Sequence, residues 1–531
     1  MPQGKQLIDG REYVYDYVSV WNKAKHRSEQ KREYIGRIID GVFVPNKRYR
    51  LRQELAQEQA VQKHCSKPTV NCKRLFVGAT HLLNEIGEKT GIKQDLKECF
   101  PQLYREILSL AYYLALEPDT PLYRFGRWAQ THGHPYGKNI SSQRSSELLP
   151  MITEEHKMNF LRLQAQRRSE KEYLFYDSTS ISSYSEQLKQ VKYGKNKDGD
   201  GLAQINLALL FGQQSRLPAY YRKLPGNITD VMTIKNMVAG VKYLDIAKVM
   251  LVMDRGYYSD NNLNDLMAKH CKFIMGAKIS LKFIQTWIEL DRADFDRREL
   301  YNSATGLFIK THSMEWDYRA VKPRSGRVLH EKRRMYVHIY YNDQHATDDK
   351  IRFNKQLDAM EDDMLKGNMK PEREKECRKY YEVKATPVRG VSFKPKQDEI
   401  DMARKNFGFF VLLSNSIKDP VETLRIYRAK DMIEKAFGNL KDRLNMRRTS
   451  VSSEEALEGK LFIQFVALIY ISYVKRAMDD AGLFKNKTMQ ELFDDLDVIE
   501  KYQIPESQTY YGEITDKQRA LYTALGVNAP A

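Results

Sequence analysis

Cysteine is scarce in this chain. Five are present among 531 residues, at positions 65, 72, 99, 271 and 377, and no two are spaced Cys-x-x-Cys. An odd, scattered set excludes a disulfide-stapled scaffold and suits a reducing compartment with free thiols. His64, Cys65 and Cys72 lie close together, but no second ligand pair follows, so a four-donor zinc site is not expected. The opening Met1-Pro-Gln-Gly-Lys5 has no apolar core of a signal peptide, and none is expected. Long apolar runs are also missing. The longest, Leu461 to Val474, contains Gln464. It falls short of the roughly 20 residues that cross a bilayer and reads as a buried helix. A calcium loop is excluded in the same way. Asn196-Lys-Asp-Gly-Asp200-Gly201 starts like one, but its twelfth position is Leu207, where a bidentate Glu is required.

Acidic residues are the remaining deficit. The 69 Asp and Glu face 87 Lys and Arg, a net charge of +18. That balance favours a polyanionic partner, nucleic acid first, although a ribosome-bound or anionic-membrane protein carries a similar excess. With 42% hydrophobic and 29% charged residues, the composition is that of a soluble globular protein. The length calls for two to four domains.

The N-terminal stretch alternates in pieces. Tyr13-Val-Tyr-Asp-Tyr-Val18 and Tyr34-Ile-Gly-Arg-Ile-Ile39 predict a small β-hairpin or meander. Lys47-Arg-Tyr-Arg-Leu-Arg52 follows, and it reads equally as a phosphate-contacting segment or as the solvated start of a helix. Residues 74–165 look helical, with Leu103, Ile107, Leu108, Ala111 and Leu114 at helical spacing. His132-Gly-His134-Pro sits in a Gly/Pro loop with no acidic neighbour and is not read as a metal pair.

From Glu172 the pattern changes. Tyr173-Leu-Phe-Tyr-Asp177 predicts a buried strand ending in a carboxylate, followed by Ser178-Thr-Ser180. Strands are predicted over Ile205–Phe211 and Leu217–Leu224, then a turn at Pro225-Gly-Asn-Ile-Thr229-Asp230 and a helix to about Leu244. The stretch Val249-Met-Leu-Val-Met-Asp254-Arg-Gly-Tyr-Tyr258 predicts a central strand with an Asp at its end. A helix capped at Ser259 and a strand over Phe273–Met275 complete a mixed sheet with helices packed on it. Ligands of open α/β sheets sit beyond the carboxyl ends of strands. A lone Asp there is more often a turn former, so Asp254 needs partners before it can be given chemistry.

Residues 282–405 break this order and look like an insertion with its own fold, with short strands at Leu307–Thr311 and Arg334–Tyr341 and a charged helical piece over 346–382. Phe407-Gly-Phe-Phe-Val-Leu-Leu413 returns as a buried strand. A long helix from Val421 to about Leu444 carries an apolar face of Ile433, Phe437, Leu440 and Leu444. Tyr427, Lys430, Glu434 and Lys441 form a second stripe beside it; taken alone, that stripe reads as surface charge. Residues 454–482 predict an apolar helix, and the tail is polar.

Taken in order, these motifs resemble the catalytic core of insertion-sequence transposases of the DDE class, and more narrowly the insertion-sequence four superfamily of bacteria. The resemblance rests on strand-Asp-Ser-Thr at Asp177, strand-Asp-Arg-Gly-Tyr at Asp254, and the signature Tyr-x-x-Arg-x-x-x-Glu-x-x-x-x-x-x-Lys, met here by Tyr427, Lys430, Glu434 and Lys441. Lys430 departs from it. It keeps the charge of the usual Arg but loses its bidentate fork. The resemblance covers about 170–280 and 405–475, and the N-terminal part only loosely. It implies an α/β, RNase H-like mixed sheet with flanking helices, interrupted by a mostly β insertion and preceded by a small β-hairpin and a helical region.

The implied domains are an N-terminal hairpin and basic segment (1–70), a helical DNA-binding region (71–168), the two parts of the catalytic core (169–281 and 406–482), the insertion (282–405) and a tail (483–531). The resemblance further implies that Asp177, Asp254 and Glu434 hold two Mg²⁺ ions, with Mn²⁺ able to substitute. Hard cations take oxygen donors, and two ions can activate the nucleophile and stabilise the leaving oxygen in phosphodiester transfer. Tyr427, Lys430 and Lys441 then contact DNA phosphates, with Arg255 and Arg222 as further candidates. The partners are the element's terminal inverted repeats and target DNA, the synaptic form is a homodimer, and the setting is the bacterial cytoplasm at the nucleoid. The rival readings are an RNase H-fold nuclease that does not join strands and an inactive, domesticated DNA-binding protein.

Overall fold

The computed structural model describes residues 3–22, 27–63, 72–167, 172–185, 187–197, 199–243, 250–321, 328–366, 371–386, 390–449, 451–504 and 509–531. His64, Cys65 and Val249 lie outside them. The chain divides into two units, Met1–Lys73 with Gln503–Gln508, and Arg74–Tyr502 with Thr509–Ala531.

In the first unit, Tyr/Val alternation produces an antiparallel meander: β1 (Gln3–Ile8), β2 (Arg11–Asn22), β3 (Arg27–Ile39) and β4 (Val42–Pro45), in that spatial order. Asp9-Gly10 and Asp40-Gly41 take positive φ at the first and last turns, the backbone that two-residue hairpins need. The basic run from Lys47 opens a helix, α1 (Lys47–Lys63).

The second unit is built on one ten-stranded mixed sheet. Third from one edge is β5 (Leu174–Ser183), which pairs in parallel with β8 (Met250–Met253) and antiparallel with β6 (Gln204–Gly212); β6 pairs with β7 (Pro218–Pro225). On the other side β8 runs parallel to β9 (Lys272–Ala277). Every residue of β6 is buried, as expected of a strand covered on both faces. Helices α2 (Asp230–Tyr243) and α3 (Asp260–Ala268) connect these strands. The apolar run near the C-terminus forms α6 (Glu454–Asp480), 27 residues long. By length and composition it is the one described helix that could cross a membrane, and 83% of its apolar window is buried inside the protein.

Three expectations need revision. The strand of Asp177 does not end there: β5 runs on to Ser183, because its polar residues are buried rather than looped out, Ser178, Thr179, Ser180 and Ser182 among them. The region 282–405 is not one separate fold. Its long hairpin, β10 (Leu307–Val321) and β11 (Val328–Tyr341), joins the main sheet through β12 (Phe409–Ser414), which lies between β11 and β9. Only about 343–404 has its own small core, from Phe353, Leu357, Met360, Met364, Cys377, Tyr380, Tyr381 and Ile400, and its longest element is a 24-residue helix, Asp343–Lys366. The predicted helix 421–444 is broken. It consists of α4 (Pro420–Arg428), a turn at Ala429–Lys430, α5 (Asp431–Gly438) and a π-helical turn over Asn439–Arg443. Apolar spacing continues through the turn, which is why the periodicity did not reveal the break.

Candidate active site

The carboxylates reach one end of the sheet by strand pairing. Tyr176 stands opposite Met253 in the parallel β5–β8 pair. Asp177 and Asp254 are the next residues of each chain, so their backbones emerge side by side, neighbouring strands being roughly 4.8 Å apart. Asp177 accepts from its neighbour's Ser178 N–H at 2.8 Å and from the Tyr257 hydroxyl at 3.1 Å. Tyr257 belongs to the short 3-10 turn, Arg255–Tyr257, that Asp254 caps through the Arg255 N–H. The Asp-Arg-Gly-Tyr motif therefore supplies one carboxylate and the clamp on the other. Tyr257 also packs, tilted, at 4.9 Å against Tyr176, the residue before Asp177. Sequence reasoning did not single out Tyr257, although it stands inside a quoted motif.

Asp254 is further held by α4. The Tyr427 hydroxyl donates to its Oδ1 at 3.0 Å, and Lys430 Nζ lies 4.0 Å from its Oδ2. The same ammonium is 3.4 Å from Glu434 Oε1. Burial pushes Asp254 toward the protonated form. The Lys430 charge, the Arg255 N–H, the Tyr427 hydroxyl and the Arg255 charge outweigh it and hold the carboxyl below its ordinary value of 3.8. The Tyr427 phenol is pushed strongly upward, by burial first and by Asp254 second, so it remains a neutral donor. Space for this bond comes from Gly276 on β9. A Cβ there would meet the Tyr427 hydroxyl and the Arg255 nitrogen, each at 2.9 Å.

A second lysine that sequence reasoning missed, Lys197, brings Nζ to 3.7 Å from Asp177 Oδ1 and donates to the Ser178 carbonyl at 2.5 Å. It comes from the Gly-rich loop considered for calcium, and no sequence signal marks it. All three carboxylates thus have an ammonium within 4.0 Å. The donor set fits a hard cation: each group offers carboxylate oxygen, and Lys430 already places positive charge between Asp254 and Glu434. Among the described residues, however, no three His, Cys, Asp or Glu side chains gather closely enough to hold an ion as they stand. Glu434 is the outlying member, its side chain 59% exposed.

The other expected contacts divide. Arg255 is exposed and lies with Asp254, Lys278, Tyr427 and Arg428 around an open cleft at the sheet end. Lys441 falls in the π-helical turn. Arg222 is not brought in. On β7 it stands in register with Ala208, and Ala208 with Ser178, which puts its side chain on the opposite face of the sheet from that of Asp177. It lines a different cavity with Lys157, Lys223 and Glu458.

Comparison with known proteins gives three findings. A family model described as a transposase DDE domain matches residues 168–470. No curated protein matches. One solved chain, piggyBac transposase in a cryo-EM synaptic complex with hairpin DNA, shares 11% identity over 78% of this chain and 70% of its own, at a TM-score of 0.31.

Proposed function

Starting from the premise that the chain belongs to the transposase DDE-domain family, we propose that it cuts the ends of its own mobile element and joins them to target DNA by metal-dependent phosphodiester transfer. Members of this family are DNA-acting transposases that use divalent metals. The finer reading is an enzyme of the insertion-sequence four type, from a bacterial cytoplasm, working as a homodimer across two element ends. Its core is read as RNase H-like, with the segment 282–405 as the insertion between the second Asp and the Glu, part of which joins the sheet.

The observation that carries this reading is the placement of Lys430 between Asp254 and Glu434. A positive charge held by two carboxylates at a strand end marks a place built for cations. Asp177, Asp254 and Glu434 are the residues that would hold Mg²⁺ or Mn²⁺. Such ions polarise the scissile phosphate and lower the pKa of the attacking hydroxyl or water.

The chain's own residues prepare the rest. Tyr257 and the Ser178 N–H fix the Asp177 carboxylate. Tyr427 and the Arg255 N–H do the same for Asp254 and keep it ionised. Lys430, Lys441 and Arg255 supply positive charge for phosphate oxygens, and a DNA strand entering there offers Lys430 a new partner in exchange for the carboxylates. The test is cleavage of duplexes carrying the inverted repeats that flank the gene, with Mg²⁺, with Mn²⁺ and with chelator. Metal-dependent nicking at the repeat boundary and joining to a second duplex are expected. Protein that binds those ends and cuts nothing in either metal would sink the proposal.

A further inference from the structure

The N-terminal meander sorts its residues by face. Residues that pair across strands project from the same side of a sheet, so the register assigns every position. One side carries Lys5, Glu12, Val14, Asp16, Glu29, Glu33, Ile38 and Phe43. Helix α1 lies on this side: Tyr49 packs on Phe43 at 6.2 Å, and Arg48 and Arg52 pair with Glu33. The other side carries Gln6, Arg11, Tyr13, Tyr15, Tyr17, Trp21, Gln30, Arg32, Tyr34 and Arg37.

The acids are sorted to one side, whereas bases stand on both, Lys5 and Lys31 with the acids. All four acidic residues within the paired strands, Glu12, Asp16, Glu29 and Glu33, lie on the helix side, and the opposite side holds three arginines and no acid. Among the described residues of this unit, no element covers that side. It stays exposed at Arg11, Trp21, Gln30, Arg32, Tyr34 and Arg37, with Trp21 60% exposed. Trp21 stands opposite Ser28, two same-side pairs beyond Arg32, while Arg11 and Arg37 lie toward the other end of the strands. Exposed apolar surface on a side whose only charges are arginines fits an anionic partner with apolar surface.

We infer that this open face is a docking surface for duplex DNA. The inference rests on the transposase reading for the existence of a DNA partner, and it places recognition on a surface separate from the carboxylates. Nucleic acid fits the pattern of arginines, glutamine amides and aromatic hydroxyls without acids. Around Tyr15 the geometry favours duplex over single strand, and the exposed Trp21 ring is what the unpaired-strand arm of the test addresses. A platform for unpaired bases needs open ring faces. Here Arg32 covers Tyr15 at 4.7 Å, leaving that ring 8% exposed, and Tyr34 meets Tyr13 and Tyr15 edge to face. Gly4 leaves room for the Tyr15 ring over β1; a Cβ there would meet it at 2.6 Å. The rings form the floor.

The polar ends project from that floor. Gln6 Oε1 accepts from Arg32 at 2.9 Å and from the Tyr34 hydroxyl at 2.9 Å, which stiffens an Arg–Gln–Tyr edge that base edges and phosphates can read. Arg and Gln side chains are the common readers of guanine and adenine in the major groove, which admits a β-ribbon.

The test uses the full chain. Labelled 30-base-pair duplexes from the DNA flanking the gene, and the same strands unpaired, are titrated by fluorescence anisotropy across a salt series. The triple variant Arg11→Gln, Arg32→Gln, Arg37→Gln should lose about tenfold or more in duplex affinity, and the slope of log affinity against log salt should fall by up to about three. Trp21→Ala should weaken duplex binding at unchanged salt slope. Lys5→Gln with Lys31→Gln, from the helix side, should stay within about twofold. A circular dichroism melt confirms that each variant is folded. Triple-variant binding equal to wild type, equal losses in the helix-side control, or a preference for the unpaired strand would overturn the inference. So would a wild-type chain that binds no duplex. Metal-dependent cleavage that persists in the triple variant at saturating DNA leaves the catalytic proposal standing, and cleavage absent from a wild type that binds through this face removes only that proposal.

Discussion

Asp177 and Asp254 stand on strands whose parallel pairing sets their backbones side by side, each fixed by a main-chain N–H and a tyrosine hydroxyl. Glu434 projects from α5, one turn beyond the break at Ala429–Lys430, and Lys430 Nζ lies 3.4 Å from its Oε1. Exposure is graded rather than divided: the side chains of Asp177, Asp254 and Glu434 are 16%, 47% and 59% exposed, so the contrast between the halves rests on the hydrogen bonds. The strand half of the site is preorganised, whereas the helix half can adjust. Under the proposed function, a site that admits a duplex and engages a phosphate would use both properties, with Lys430 offsetting the charge of Glu434.

The comparison can be broken by experiment. The largest effect is expected from Asp177→Asn and Asp254→Asn, each lowering strand cleavage by about a thousandfold or more while the thermal midpoint hardly moves. Activity within tenfold of wild type would remove that residue from the site. Length changes sharpen the contrast. Asp254→Glu should cost about a hundredfold in single-turnover cleavage, because its surroundings are fixed, and Glu434→Asp only about tenfold; the reverse order would mean that the helix is the rigid half. Gly276→Ala should approach the Asp254→Glu loss, because the added methyl pushes away the Tyr427 hydroxyl that holds Asp254.

A smaller effect concerns the anchor of α4. His338, fully buried on β11, bonds Thr311 and the Ile417 carbonyl and lies 3.4 Å from the Thr423 hydroxyl of α4. Burial pushes it down from its ordinary 6.5 to about 4. The unfolded chain therefore binds a proton that the folded one refuses. This stability is fully present above pH 6.5 and is lost as pH falls from there toward 4, by about 2 kcal/mol between pH 7 and 5. Denaturant melts of His338→Gln against wild type measure it; an equal acid loss in both would rule out this histidine. The smallest effect is expected from Lys430→Met. Asp254 loses its main opposing charge, its pKa rises, and the acid limb of cleavage moves to higher pH. An unmoved limb would show that Tyr427 and the Arg255 N–H suffice.

Much of the strand half was readable in the sequence, because apolar runs followed by Asp mark buried strands with presented carboxylates. What escaped reading had physical reasons. Ser178 to Ser183 looked like a loop, yet the sheet buries those hydroxyls and main-chain pairing satisfies the strand. The hairpin of β10 and β11 carries enough Lys, Arg and Glu to pass for a separate domain, and only its partner strand Phe409–Ser414, far along the chain, ties it to the core. Lys197 could not be found from composition, because its placement depends on how a turn packs. Arg222 lies on the other face of the sheet, because one residue of register decides which face a strand side chain takes.

The position of β12 has a consequence for how the protein is made. This strand fills the gap between β9 and β11, so the main sheet stays in two pieces until residue 414 has left the ribosome. Glu434 and the long buried α6 follow later still. At about 5–20 residues per second, the nascent chain spends many seconds with its two aspartates made and its third carboxylate not yet synthesised. Under the proposed site, a growing polypeptide therefore lacks the full set of carboxylates until position 434 of 531 has been translated.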